Sequence, residues 1–353
     1  MEPDQWSEFM TSFWNTETMY HESVLMVADA RGETEAVLLF EPESIVAVRD
    51  STLRIVYEEG ADWVFADGKL RLPPGSRAAR LTRAQLFPDA PDRQTVPRTD
   101  GQGYVYTEEG HFFHEHQLFV TYTHRPDAWK GPVPRLQERN LAETLRKLRA
   151  GLPLTVVLYG DSISEGYNAS GFHSGREPVA PFLPAWGELF AEALRRAYGS
   201  PVQFRNASLA GKDTVWGAER VGELVSPWRP DLVVLAFGMN DGTGRRPPDE
   251  FRRNLEAIMA DVRKANPHAE FVLVSPMLAN PATRFHGNQS DYRLMMEAMT
   301  GEGVAMADMT AVHAELLKRK RYHDMTGNHL NHPNDFLMRW YAQQVAGLLV
   351  ENL

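Results

Sequence analysis

The residues of this chain that could do chemistry fall in four short stretches. The first is Gly160-Asp161-Ser162, which follows directly on the apolar, β-branched run Leu154–Tyr159. Such a run fits one buried strand, and in open α/β sheets ligands bind at the carboxyl ends of the strands. A serine presented there is a candidate nucleophile. Its hydroxyl is a weak one until a base takes the proton. His332 is the best candidate base, because imidazole titrates near neutral pH. Attack on a carbonyl places negative charge on its oxygen, and preorganised donors must meet that charge. Three are available in principle: the backbone N–H of Ser162, the backbone N–H of Gly211 and the side-chain amide of Asn240. A glycine lets its backbone approach a substrate without a Cβ in the way. A neutral asparagine amide can donate to an oxyanion without drawing a proton from the serine.

These groups need a scaffold that gathers them. From residue 152 the chain alternates strands and helices. The strands are Leu154–Tyr159, Val202–Asn206, Leu232–Phe237, Phe271–Ser275 and Val304–Ala307. They are short and mostly apolar, as strands buried on both faces should be. Helical stretches fall at about 186–198, 214–225, 249–265, 289–300, 310–320 and 334–352. The pattern predicts an α/β fold: a three-layer α/β/α sandwich around a five-stranded parallel sheet. Ser162, the Gly211 loop and Gly238-Met239-Asn240-Asp241 then follow three strands at one sheet edge, and the loop carrying His332 can reach it. There is no Gly-x-Gly-x-x-Gly after the first strand and no P-loop, so nothing supports a nucleotide site.

The first 130 residues read differently. Short β-rich runs (Ser23–Ala28, Ala36–Phe40, Ser44–Arg49, Leu53–Glu58, Trp63–Ala66, Lys69–Leu72, Gly103–Thr107 and Phe112–Thr123) are separated by turn pairs such as Asp67-Gly68. This spacing predicts an all-β sandwich, jelly-roll-like, or a small barrel. Read as one strand, Phe112–Thr123 puts His114 and His116 on one face beside His111. That pair alone does not make a metal site. The expected organisation is an N-terminal β-sandwich over 1–130, a linker and lead-in helix over 131–150, and the α/β domain over 151–353.

In this order, Gly160-Asp-Ser162-Ile, the Gly211 loop, Gly238-Met-Asn240-Asp and His332-Pro333 resemble the four blocks of the SGNH hydrolase superfamily, the GDSL-type esterases. The resemblance covers about 150–353. It implies a flavodoxin-like sheet order and a serine esterase or acylhydrolase. It further implies Ser162 as nucleophile and donor, Gly211 and Asn240 as oxyanion donors, and His332 as base. The sandwich ahead of this domain is also similar, more loosely, to the layout of carbohydrate esterases acting on acetylated sugars. The expected activity is hydrolysis of short-chain acyl esters, acetyl above all, on carbohydrate. There is one departure. The family has Asp three residues before its catalytic histidine, and here that place is taken by His329. Three readings stay open: a Ser–His dyad helped by a backbone carbonyl, an acid from elsewhere (Asp324 is the nearest upstream), or a weakened enzyme that binds carbohydrate. A metal-dependent hydrolase built on His323, His329 and His332 is a further alternative.

Simpler readings stand beside each residue. Ser162 next to Asp161 suits a helix N-cap, Asn240-Asp241-Gly242 a turn, and Gly211 a tight turn. Composition narrows the classes. With 37 basic and 47 acidic side chains the net charge is −10, which disfavours a nucleic-acid partner. There are no cysteines, so thiolate catalysis and Cys-ligated metals are excluded. No apolar run approaches the ~20 residues of a membrane span, and the acidic N-terminus lacks a signal pattern. A cytoplasmic chain needing no cofactor is expected, with a small-molecule or oligosaccharide acyl ester as partner and neither nucleic acid nor membrane. A homo-oligomer is compatible with the sequence.

Overall fold

The computed structural model describes residues 3–173 and 177–351. The sheet that organises the second half is parallel and five-stranded: β1 (Leu154–Gly160), β2 (Val202–Asn206), β3 (Leu232–Ala236), β4 (Glu270–Val274) and β5 (Val304–Ala307). Its spatial order is β2-β1-β3-β4-β5, the flavodoxin-like order. The registers are continuous; Val156 pairs with Leu232 and Gly160 with Ala236. Successive side chains point to opposite faces, so each central strand feeds two cores. Val156 and Leu158 of β1 and Val234 of β3 face one side, where the helices Trp186–Tyr198 and Asp335–Ala346 lie. Val157, Tyr159, Val233 and Leu235 face the other, beneath Thr214–Leu224 and Pro248–Ala265. β1 sits at the switch point, its neighbours β2 and β3 being reached on opposite sides. The ends of β1 and β3 therefore flank a crevice of the kind where ligands bind in such sheets.

The N-terminal part is strand-rich. Its largest sheet is antiparallel and four-stranded, in the order Thr18–Leu25, Gln117–His124, Pro42–Asp50, Val56–Tyr57. A three-stranded sheet includes the hairpin Val64–Ala66/Lys69–Arg71. Its turn residues Asp67 and Gly68 have φ of 54° and 73°, the pair of positive values that a tight two-residue hairpin demands.

One expected strand is divided. Phe112–His116 is a short helix, and the strand begins only at Gln117. The reason lies in the partner: the ladder with Thr18–Leu25 ends at Leu25 paired with Gln117, so residues before 117 have no strand to bond. His114 and His116 consequently share no strand face. His114 Nε2 bonds the Ala180 carbonyl at 2.8 Å, and His116 Nδ1 bonds the Phe112 carbonyl at 2.7 Å.

The strand-rich part and the α/β part share one hydrophobic core. Val24, Val48, Leu118 and Tyr122 belong to the same buried cluster as Trp186, Phe336 and Trp340. Phe13 stacks on Trp340 at 4.2 Å. Buried polar groups fasten the same seam. Glu22, fully buried, takes the Lys320 ammonium at 2.5 Å, the Tyr122 hydroxyl at 2.5 Å and the Leu39 N–H at 2.9 Å. Buried ion pairs persist only when their remaining lone pairs are satisfied in this way. Arg339 donates to the carbonyls of Phe9 and Tyr20. Among the described residues no helix is long and apolar enough to cross a membrane.

Candidate active site

The strand β1 ends where Gly160 packs against Ala236; a Cβ there would lie 2.5 Å from the Ala236 carbonyl oxygen, so the close approach to β3 requires glycine. Asp161 then caps the short helix Ser162–Glu165, its carboxylate accepting the Ile163 N–H at 3.0 Å. That cap places Ser162 in the first helical turn at the sheet edge. Burial pushes the Asp161 carboxyl up to about 7, with the charge of Asp241 adding to it and the bonds from Ile163 and Met239 opposing it.

Ser162 and His332 are brought together. Their atoms Oγ and Nε2 lie 2.8 Å apart, and each residue is 6 % exposed, reachable but mostly screened from water. The loop carrying His332 is wound by Asn328, whose side-chain oxygen accepts the N–H groups of Leu330, Asn331 and His332 at 2.9, 3.0 and 3.0 Å. Asn334 then caps the last helix, Asp335–Ala346, through the Leu337 N–H.

Gly211 and Asn240 lie on loops tied to the serine's helix. The Ala210 N–H donates to the Glu165 carboxylate at 2.5 Å, and the Asn240 side-chain amide donates to the Lys212 carbonyl at 2.9 Å. The Gly211 loop is thus stapled between the helix after β1 and the turn after β3. Gly211 itself has φ of 74°, with open space where a Cβ would be. Asp241, next to Asn240, is buried and bonds Thr214 and Arg246. Asn206 holds the scaffold together: its amide donates to the Ser164 carbonyl and its oxygen accepts the Ser208 N–H.

Other candidates fall elsewhere. Asp324 does not face His332. It accepts the Leu25 N–H at 2.8 Å and the Arg321 N–H at 3.0 Å. Burial would raise its carboxyl, but Arg321 and Lys320 hold it well below the usual range. His329 is also turned away, its Nδ1 bonding the Tyr106 carbonyl at 3.2 Å. Among the described residues no group of three or more His, Asp or Glu side chains is placed to hold a metal ion. His332 has both ring nitrogens engaged, by Ser162 on one side and Asn168 and Glu109 on the other. Trp216 packs on Tyr159 with Lys212 over its ring. In the run 178–186, which carries Pro178, Pro181 and Pro184, Leu183, Ala185 and Trp186 are packed into the core, while Phe182 is exposed.

The Nδ1 side of His332 is where sequence reading fell short. Two oxygens meet it: Asn168 Oδ1 at 2.9 Å and Glu109 Oε2 at 3.1 Å. Glu109 comes from the turn between the strand Tyr104–Tyr106 and the helix Phe112–His116, 223 residues away in sequence. Asn168 lies in the turn after Ser162–Glu165, and in the sequence it stands out only as the first residue of the triplet Asn168-Ala169-Ser170. It is buried and at φ of 67°, a conformation that asparagine tolerates better than most residues.

Comparison with known proteins places the chain in a family. The model of the GDSL-like lipase/acylhydrolase family matches residues 158–339, just over half of the chain. An arylesterase of Vibrio mimicus is 30% identical over 108 residues, 31% of this chain and 48% of the relative. The chain therefore matches about half the length of that relative. Among solved structures, a two-domain esterase active on acetylated mannans is similar with a TM-score of 0.49 and 19% identity, over 62% of this chain and 54% of that one. A lipase/acylhydrolase from Enterococcus faecalis gives 0.41 and 22% over 55% of this chain and 93% of that one. With the family match spanning both members of the Ser162–His332 pair, this chain belongs to the GDSL-like lipase/acylhydrolase family, within the SGNH superfamily.

Proposed function

We propose that this chain is a serine ester hydrolase that removes short acyl groups, acetyl foremost, from carbohydrate. Ser162 Oγ attacks the ester carbonyl while its proton passes to His332 Nε2. The developing oxyanion is met by the N–H of Ser162, the N–H of Gly211 and the side-chain amide of Asn240. His332 returns the proton to the leaving sugar hydroxyl, which departs and leaves an acyl-serine. His332 then takes a proton from water as its oxygen attacks the acyl carbon, and returns that proton to Ser162 Oγ as the bond between Oγ and the acyl carbon breaks, releasing the free acid.

The observation that carries this reading is the 2.8 Å contact between Ser162 Oγ and His332 Nε2. A base must be within such reach of the proton it takes. The substrate class rests on the side chains around that pair. Tyr167 lies ring to ring with His332 at 5.5 Å, and the Asn240 amide stands on the neighbouring loop after β3. A rim of this kind suits a polyhydroxylated leaving group, whereas a long acyl chain needs an apolar channel.

Ser162→Ala should lower turnover of acetylated sugars and of aryl acetates by several orders of magnitude while leaving Tm close to that of the parent. Turnover retained by the variant would overturn the mechanism. Faster hydrolysis of octanoyl than of acetyl esters would overturn the short-acyl assignment.

A further inference from the structure

We infer that Glu109 is the carboxylate that supports His332 during turnover, and that it takes over the role left vacant by the histidine at position 329. The inference rests on the reading of Ser162 and His332 given above.

The loop residue three places before His332 has no charge to offer. His329 is 1 % exposed, and its ring lies between Phe87 and Phe113 at centroid distances of 5.4 and 5.5 Å. Burial lowers its pKa to about 4, so it is neutral at pH 7. Its job is mechanical. Its Nδ1–H donates to the Tyr106 carbonyl, and its own carbonyl accepts from Asn280 at 2.7 Å. One residue further along the strand-rich segment, the Thr107 hydroxyl donates to the Asn328 carbonyl at 2.8 Å. Two residues beyond that, Glu109 Oε1 accepts from the Asn328 amide at 2.8 Å. The segment 106–109 is therefore fastened along the loop 328–332, and the last fastening leaves Oε2 at 3.1 Å from His332 Nδ1.

Asn168 and Glu109 meet the same ring nitrogen but do different work. The Asn168 amide nitrogen donates to the carbonyls of Gly110 and Gly327, at 3.0 and 3.2 Å. Those two acceptors fix which end of the side chain is nitrogen, so its oxygen must face His332. It holds the imidazole in the tautomer with a proton on Nδ1 and a bare Nε2 toward Ser162. Being neutral, it does little for the imidazolium that forms when Ser162 gives up its proton. Glu109 supplies that charge. The desolvation of its inner oxygen would raise the carboxyl, but the charge and bond of His332 and the bond from Asn328 outweigh it and keep it below the ordinary value, so it is ionised at neutral pH. The other titratable groups facing His332 are Asp161, from the β1 end, and Tyr167.

Glu109 acts through His332 and not on Oγ, and is a positioning residue. Loss of a buried carboxylate from a Ser-His-Asp triad lowers kcat by about 10⁴. Here the effect is smaller, because the Glu109 side chain is 53% exposed and Asn168 still fixes the tautomer. An exposed charge acts through a high effective dielectric, and we expect a loss of about 10- to 100-fold.

The test is Glu109→Gln, which keeps size and loses charge, assayed on an acetyl ester across pH beside the parent and Ser162→Ala. The expected result is a lower kcat with KM within about twofold, and an acidic limb of the kcat/KM profile moved to lower pH, since a carboxylate favours the protonated form of a neighbouring imidazole. A kcat equal to that of the parent, or a loss of kcat with the acidic limb unmoved, would overturn the assignment while an inactive Ser162→Ala left the rest of the site standing. An active Ser162→Ala would instead remove the reading on which it rests.

Discussion

The carboxyl of Asp161 should make folding stability depend on pH in a direction opposite to that of most aspartates. It is 1 % exposed, and burial lifts it from an ordinary 3.8 to about 7. A group whose folded pKa is raised binds its proton more tightly in the folded state. Its contribution is present in full below the unfolded value and is lost as pH rises toward about 7. Binding a proton about a thousandfold more tightly when folded is worth about 4 kcal/mol in all, of which about 3 kcal/mol is lost between pH 5 and 8.5. Asp161→Asn removes the titration. An asparagine caps a helix as well as an aspartate, so the bond from the Ile163 N–H can be kept. The Met239 N–H also favours the charged carboxyl, and turning an amide NH₂ toward that donor costs about 1–2 kcal/mol at every pH. The variant should thus lie within about 1 kcal/mol of the parent at pH 5 and gain about 3 kcal/mol on it by pH 8.5. At about 2.1 cal/mol/K per residue, a 353-residue chain has an unfolding entropy near 0.7 kcal/mol/K, so ~3 kcal/mol corresponds to about 4 °C. The assay is thermal unfolding of both proteins from pH 5 to 8.5. A Tm difference that stays flat over that range refutes the reasoning, because every other titrating group is common to both chains.

Two further outcomes follow from the geometry. Asn240→Ala removes one proposed oxyanion donor and should cut kcat about 10²- to 10³-fold with little change in KM; steady-state kinetics on an acetyl ester checks it, and a loss confined to KM would assign the amide to ground-state binding. Lys320→Met leaves Glu22 charged and fully buried with only the Tyr122 hydroxyl and the Leu39 N–H, which should cost about 3–5 kcal/mol and lower Tm by about 4–7 °C; the double variant with Glu22→Gln should recover part of it.

The α/β half was legible because its strands are buried on both faces. Such strands read as unbroken apolar runs, and five of them were located in sequence with their order implied by the family resemblance. Breaks in those runs also pointed to the candidate site, since polar residues and glycines cluster at the ends of β1, β2 and β3. The strand-rich half was harder to read, since a short strand is defined by its partner as much as by its own residues. Phe112–Thr123 has the composition of one strand, yet its first five residues coil into a helix because the facing strand has already ended at Leu25. Nothing local in the run records that.

Glu109 was illegible for the same reason on a larger scale. Its meaning depends on a loop 223 residues away, and a Thr-Glu-Glu-Gly sequence after a short strand looks like any solvated turn. What the sequence did hold was the vacancy. His329 stood where an acid was expected, and the natural inference was that something else must serve His332 or that the enzyme was weakened. The structure gives that histidine a task which explains both facts at once. A short carboxylate at 329 could reach its own loop's histidine but could not fill the space between Phe87 and Phe113 or donate to the Tyr106 carbonyl. An imidazole does both, and in doing so it fastens the strand-rich segment that brings a carboxylate back to His332 from outside. On this view the N-terminal half does more than bury an apolar face of the α/β half. It completes the polar environment of His332, so a chain cut before residue 110 should lose the acid together with the segment that carries it.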